Sequence, residues 1–113
     1  MHELSLVQEL IALVEEQVKA HQVKKVHRIV VRIGKMAAVV PSSLTFCFEI
    51  LSRGSQLEGA ILEIEEIPIR CRCTRCQEEF EVESFIFFCP KCQGSELEQL
   101  SGRECLIHHL EVD

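Results

Sequence analysis

No apolar run in this 113-residue chain approaches the roughly 20 residues that a bilayer span requires, so no membrane role is expected. Met1-His2-Glu3 supplies no basic n-region, and Gln8, Glu9, Glu15 and Glu16 interrupt the apolar positions behind it, so no secretory leader is read there. The chain reads as cytoplasmic. Positive charge is also scarce, with 12 Lys+Arg against 18 Asp+Glu and a formal net charge of -6. A general nucleic-acid binder presents a basic face, so no nucleic-acid partner is expected; the one local basic strip runs from Lys24 to Arg32. There is no Gly-rich phosphate loop and no nucleophile with a base at a supportable spacing, which argues against an enzyme. Trp and Tyr are absent, whereas Cys occurs seven times. In a reducing compartment such cysteines serve as metal ligands or redox groups more often than as disulfides, and an odd total cannot pair completely.

The apolar pattern predicts an α+β fold: a small three-stranded sheet with two helices, carrying an inserted zinc-ribbon-like module. Leu4, Val7, Leu10, Ile11, Val14 and Val18 recur at steps of three and four, which predicts a helix over residues 4–20 with that face on the core. Ile29, Val31 and Ile33 alternate within a strand from Val26 to Ile33 that Gly34 ends. Lys35 to Pro41 reads as an apolar loop. A second helix is expected from about Ser42 to Ser52, with Ser42 or Ser43 as cap, Leu44, Cys47, Phe48 and Leu51 inward, and Gly54 as terminator. Residues 61–67 alternate as a second strand, stopped by Pro68, and Cys105 to Val112 alternate as the last one, with Leu106, His108, Leu110 and Val112 on one side. The expected division is an α/β domain of residues 1–69 and 100–113 interrupted by a zinc module of residues 70–99.

Inside that interruption lies Cys73-Thr74-Arg75-Cys76, then twelve residues, then Cys89-Pro90-Lys91-Cys92. Each C-x-x-C closes a tight turn whose two sulfurs reach one ion, and zinc accepts four thiolates in a tetrahedral shell. Iron suits the same cage. A four-sulfur shell has no open position for water or substrate, so the site reads as structural. Isolated zinc modules gain about 10–16 kcal/mol in apparent terms from the metal, which decides whether a segment with so little apolar material folds. Two redox pairs would each need a thioredoxin-like strand-to-helix junction, which neither has. Cys71 competes for a ligand position, but a Cys71-Arg72-Cys73 bite would leave Cys76 over, so Cys73 is preferred. Arg70, Arg72, Arg75 and Lys91 lie close enough in sequence to compensate the cage, or serve as solvated charges. Cys47 and Cys105 read as small core hydrophobes.

At the amino terminus, a bulky His2 keeps Met1 in place. The terminal amine, the amides of His2 and Glu3 and the His2 imidazole are then neighbours that can close fused five- and six-membered chelate rings. Nickel(II) and copper(II) favour that flat nitrogen shell, whereas zinc does not. The alternative is a solvated chain end with Glu3 favourable at a helix start. His21 and His27 fall in or beside a polar turn, and His108 and His109 are expected on opposite strand faces, unable to share a metal.

Taken together, Met1-His2-Glu3-Leu4-Ser5-Leu6, Ile33-Gly34, Phe46-Cys47-Phe48-Glu49 with Arg53-Gly54, Glu63-Ile64-Glu65-Glu66 and the paired knuckles resemble the HypA/HybF family of hydrogenase-maturation nickel metallochaperones over essentially the whole chain. The resemblance implies a cytoplasmic carrier that helps deliver Ni(II) to a [NiFe]-hydrogenase large-subunit precursor, working with a nickel-binding GTPase as monomer or weak homodimer. It implies His2 as nickel ligand with Glu3 supporting, and Cys73, Cys76, Cys89 and Cys92 as zinc ligands; some members also assist urease maturation. One departure stands out: the family often has an acidic residue just before the loop proline, where this chain has Val39-Val40-Pro41. The competing reading is a zinc-ribbon protein-interaction adaptor without nickel transfer.

Overall fold

The heptad-like recurrence of apolar residues at the start of the chain coils Glu3–Ala20 into helix α1, which buries Leu6, Val7, Val14 and Val18. The computed structural model describes residues 3–113. Leu6 is buried in place of the expected Leu4, which is 49% exposed, because Leu6 lies on the step of four that runs on through Leu10, Val14 and Val18.

Strand β1 (Val26–Gly34) follows and is the centre of the fold. A short 3-10 turn, Lys35–Ala37, leads to helix α2 (Pro41–Leu51). Neither Ser42 nor Ser43 caps α2. Its N-cap is Val40, with Pro41 in the first turn, because proline's fixed φ starts the helix one residue earlier. Strand β2 (Ile61–Ile67) returns parallel to β1, as an α-helical crossover permits.

The chain then leaves this sheet. Strands β3 (Arg70–Cys73), β4 (Glu79–Glu81) and β5 (Leu97–Ser101) form a second antiparallel sheet in the order β4-β3-β5. Strand β6 (Cys105–Val112) comes back antiparallel to the free edge of β1 and completes the first sheet in the order β2-β1-β6. Both helices belong to the first sheet, where Ile29, Val31 and Ile33 meet Val14, Leu44, Phe48 and Leu57 in one core.

Strand β6 does not keep the expected alternation. Val30 pairs with His109 and Val31 with Ile107, so His108 is an extra residue with no partner on β1. That bulge resets the pleat. Ile107 and Leu110, three apart, both pack against the core, while Leu106 and Val112 are exposed.

Two passages join the sheets, Ile67 to Arg70 and Ser101 to Cys105, and they cross tightly. The Gly34 amide donates to the Glu104 carbonyl at 2.7 Å, and the Met36 amide donates to the Gly102 carbonyl at 2.9 Å. A Cβ on Gly34 would overlap the Gly102 carbonyl. Gly102, at φ 112°, sits so close to Ile69 that a Cβ there would lie 2.9 Å from the Ile69 Cα. Among the described residues no helix is long and apolar enough to cross a membrane.

Candidate metal centre

Two copies of one local structure build the centre. In the first, the Cys73 carbonyl accepts from the Gln77 amide at 2.8 Å, and the Cys73 amide donates to the Glu78 carbonyl at 2.9 Å. In the second, the Cys89 carbonyl accepts from the Gln93 amide at 2.8 Å, and the Cys89 amide donates to the Gly94 carbonyl at 2.8 Å. Gln77 and Gln93 both take the left-handed conformation, with φ 66° and 61°. The identical C-x-x-C spacing thus folds into identical knuckles. Thr74 then ties the first knuckle to the start of β5, donating both its amide and its hydroxyl to the Glu96 carbonyl at 2.9 Å.

The knuckles face each other. Cys73, Cys76, Cys89 and Cys92 bring their four sulfurs within 4.8 Å of one another, with Cys73 3.5 Å from Cys92 and Cys76 3.5 Å from Cys89. A tetrahedral zinc with bonds of about 2.3 Å separates its sulfurs by about 3.8 Å, so the cluster fits that ion with a few tenths of an ångström of expansion.

Backbone amides prepare the sulfurs unequally. The amides of Cys76 and Arg75 point at the Cys73 sulfur and lower its pKa against the opposing effect of burial. The amides of Cys92 and Lys91 do the same for Cys89, bringing it down to about 7. At Cys76 the Glu78 amide pulls downward, but burial and the sulfurs of Cys89, Cys73 and Cys92 outweigh it and push the thiol up to about 12. Four thiolates cannot crowd together without a cation, and a divalent metal supplies the missing charge.

Of the neighbouring cations Arg70, Arg72, Arg75 and Lys91, two serve carboxylates. Arg72 pairs with Glu98 at 2.9 Å and Lys91 lies 3.9 Å from Glu78. Arg75 alone of these four runs beside Gly94 next to the Cys92 sulfur. Cys71 stands apart from the sulfur cluster: it is buried against Ile69 and Val82, and that burial raises its pKa, with Arg103 opposing. Cys47 packs against the main core. Cys105, expected in the core, is exposed, because β6 begins at the rim of the sheet.

Glu3 opens α1 and is half-buried, whereas the residue expected to bind nickel, His2, lies outside the described residues. His27 pairs with Asp113 at 2.7 Å. The expectation that His108 and His109 face apart is overturned by the bulge: their Nδ1 atoms are 2.7 Å apart. Strict alternation hid this pair. The step of three from Ile107 to Leu110 was the available signal, since a regular strand cannot bury both.

Comparison with known proteins adds the following. Residues 1–112 match the family model described as hydrogenase/urease nickel incorporation, metallochaperone, HypA. The hydrogenase maturation factor HypA of Lawsonia intracellularis is 41% identical over 118 residues, covering 100% of both chains. Its counterpart from Nostoc sp. is 41% identical over 113 residues, covering 100% of this chain and 96% of that one. The solution structure of the Ni metallochaperone HypA from Helicobacter pylori superposes with a TM-score of 0.69 at 33% identity, over 99% of this chain and 97% of that one.

Proposed function

The chain belongs to the HypA family, and from that premise we propose that it is a nickel metallochaperone which carries Ni(II) to the large-subunit precursor of a [NiFe]-hydrogenase. Zinc held by Cys73, Cys76, Cys89 and Cys92 is structural in this reading, and when bound it supplies the cation that lets four thiolates share one small volume. The observation that carries the reading is this closed sulfur shell. All four positions of a tetrahedral ion are taken by protein, so a transferable ion belongs elsewhere.

That place is the amino terminus. The terminal amine, the amides of His2 and Glu3 and the His2 imidazole hold Ni(II) in a flat nitrogen shell, with the Glu3 carboxylate in support at the head of α1. A chelate of this kind suits a carrier, because the ion has to leave as well as arrive. The division into an α/β domain of residues 1–69 and 100–113 and a zinc module of residues 70–99 follows the same logic: one part holds cargo, and the other addresses the cytoplasmic nickel-binding GTPase and the hydrogenase precursor. Exposed Phe85, Ile86 and Phe88, on the stretch between the knuckles, give that module an apolar surface. The same residues are what favours the second reading, an interaction adaptor without nickel transfer.

Native mass spectrometry of zinc-loaded protein separates the two. Under the carrier reading the protein takes up Ni(II), and His2→Ala sharply weakens that binding while one zinc per chain remains. Nickel uptake unaffected by His2→Ala and by acetylation of the terminal amine would remove the amino-terminal site, and no uptake by the unmodified protein would leave only the adaptor.

A further inference from the structure

Four consecutive apolar residues, Phe85-Ile86-Phe87-Phe88, precede the second knuckle, and the fold uses only one of them. Phe87 packs against Ile69, Cys71 and Val82. Phe85, Ile86 and Phe88 are 57%, 61% and 59% exposed. Apolar surface gathered on one short stretch marks a contact site, as scattered single residues do not.

The backbone presents this surface at a cost. The Ile86 amide donates to the Glu83 carbonyl at 3.1 Å and closes a turn whose two central residues, Ser84 and Phe85, have φ 54° and 56°. Positive φ at both is the type I′ pattern, which Asn and Gly fill readily and a bulky aromatic residue does not. A turn needed only to reverse the chain has no use for Phe85. Strain of this kind collects where a side chain has a task beyond folding.

Charge decides what covers the turn. Residues 77–90 contain Glu78, Glu79, Glu81 and Glu83 and no Lys or Arg. The cations of the module leave them largely uncompensated: Arg72 pairs with Glu98 at 2.9 Å, and Lys91 reaches only Glu78, at 3.9 Å. Arg70 stands opposite Glu81 in the strand register, yet among the described residues neither Glu81 nor Glu83 makes an ion pair. A second copy of this chain would set like charges against these carboxylates, and an anionic lipid surface would repel them.

We propose that the turn of residues 84–88 docks into an apolar socket rimmed by Lys and Arg on a partner protein. Phe85, Ile86 and Phe88 fill the dry centre of that contact, and Glu81 and Glu83 meet the cations at its rim. The inference rests on the reading that the zinc module addresses the nickel-binding GTPase and the hydrogenase precursor, and it supplies the chemistry of that recognition.

Zinc-loaded protein is titrated by calorimetry with the purified GTPase and, separately, with the purified large-subunit precursor, in low and in high salt. The expected result is binding to at least one of them, with an affinity that falls as salt rises. Phe85→Asn should weaken this binding by about ten-fold or more, and the pair Glu81→Lys and Glu83→Lys should weaken it most in low salt. Asn accepts the left-handed conformation, so Phe85→Asn should keep one zinc, the amide shifts of β3, β4 and β5, and at least the wild-type melting temperature. Ile86→Ser repeats the test should Phe85→Asn disturb the fold. Binding of both probes unchanged by Phe85→Asn and Ile86→Ser, or binding of neither by the wild type, would overturn the proposal. So would self-association, or attachment to phosphatidylglycerol vesicles, that Phe85→Asn abolishes, since either gives the turn a different occupant. Nickel uptake by Phe85→Asn should equal that of the wild type; no uptake by either would sink the carrier reading while leaving the docking site in place.

Discussion

The two sheets of this protein are both three-stranded, yet they are held together by different means. Among the described residues, the β2-β1-β6 sheet shares with α1 and α2 a core of twelve buried apolar residues, whereas the β4-β3-β5 sheet has Ile69, Cys71 and Val82, with Phe80, Phe87 and Leu97 partly buried against them. Burial of a Val, Leu or Ile side chain contributes about 1.5–3 kcal/mol, so the first core can offset the ordering of its elements and the second falls far short. Metal binding to the sulfur cluster fills that gap. One unit is a hydrophobic fold and the other a coordination compound with a short sheet attached.

Metal removal tests the difference most severely. Stripping zinc with a chelator, or replacing Cys89 by Ser, should cost the second sheet the apparent 10–16 kcal/mol typical of about one structural zinc. Amide resonances of β3, β4 and β5 should then collapse toward random-coil positions while those of α1 and β1 keep their dispersion; joint collapse of both units would erase the distinction. Acid should reach the same end by degrees. The metal-free cluster holds a proton on Cys76, whose thiol is pushed up to about 12, and gains another on Cys89 as the pH falls through about 7. Metal entry displaces those protons, so zinc affinity rises with pH and its slope should be steeper by one proton below about pH 7. A competition titration across that range measures the slope.

The converse perturbation is Leu57→Ala. Leu57 is fully buried in the main core, and its truncation should cost about 2–5 kcal/mol there. The thermal transition of the helices should drop while the protein still retains one zinc per chain. Loss of zinc together with helix would mean that the first sheet is the platform on which the second folds.

Gly34→Ala acts where the two units touch. A methyl group there meets the Gly102 carbonyl, so the passage from β5 to β6 has to shift. Overpacking of this kind costs about 1–3 kcal/mol. The more telling readout is a change in the amide shifts of Met36 and Glu104 on both sides of the crossing, because Met36 donates to Gly102 and Gly34 to Glu104. Shifts confined to β1 would show that the crossing transmits nothing.

How far the sequence could be read follows the same division. The C-x-x-C repeats are local and rigidly spaced, so the sulfur cluster was legible residue by residue, including the preference for Cys73 over Cys71. The first sheet was legible in its elements because Ile29, Val31 and Ile33 alternate and α1 repeats its apolar positions. Hidden were the features fixed by contacts between distant segments. Leu57 sits in an irregular stretch with no periodicity to mark it, held by its amide donating to the Ser55 hydroxyl at 3.1 Å. The bulge at His108 depends on how β6 meets β1, and the close passage of Gly34 and Gly102 depends on where the chain re-enters the first sheet.

The smallest effect concerns a place where this chain departs from the pattern of the family it resembles. Val40 is the N-cap of α2, half exposed; its carbonyl accepts from the Ser43 amide at 3.0 Å, but its side chain has no oxygen to offer the Ser42 amide. Introducing that oxygen as Val40→Asp should stabilise the first sheet and its helices by about 0.5–2 kcal/mol, through a capping hydrogen bond and a negative charge at the positive end of the helix. Because the cap favours the ionised carboxylate, its folded-state pKa falls below the ordinary Asp value of about 3.9. The gain is therefore fully present above about pH 4 and disappears as the pH falls through the lowered folded value. Thermal melts of wild type and Val40→Asp at neutral pH and near pH 3 should show a difference that shrinks in acid. A difference independent of pH would assign the gain to something other than the cap, and none at all would mean that water already serves the Ser42 amide and the Val40 carbonyl the Ser43 amide.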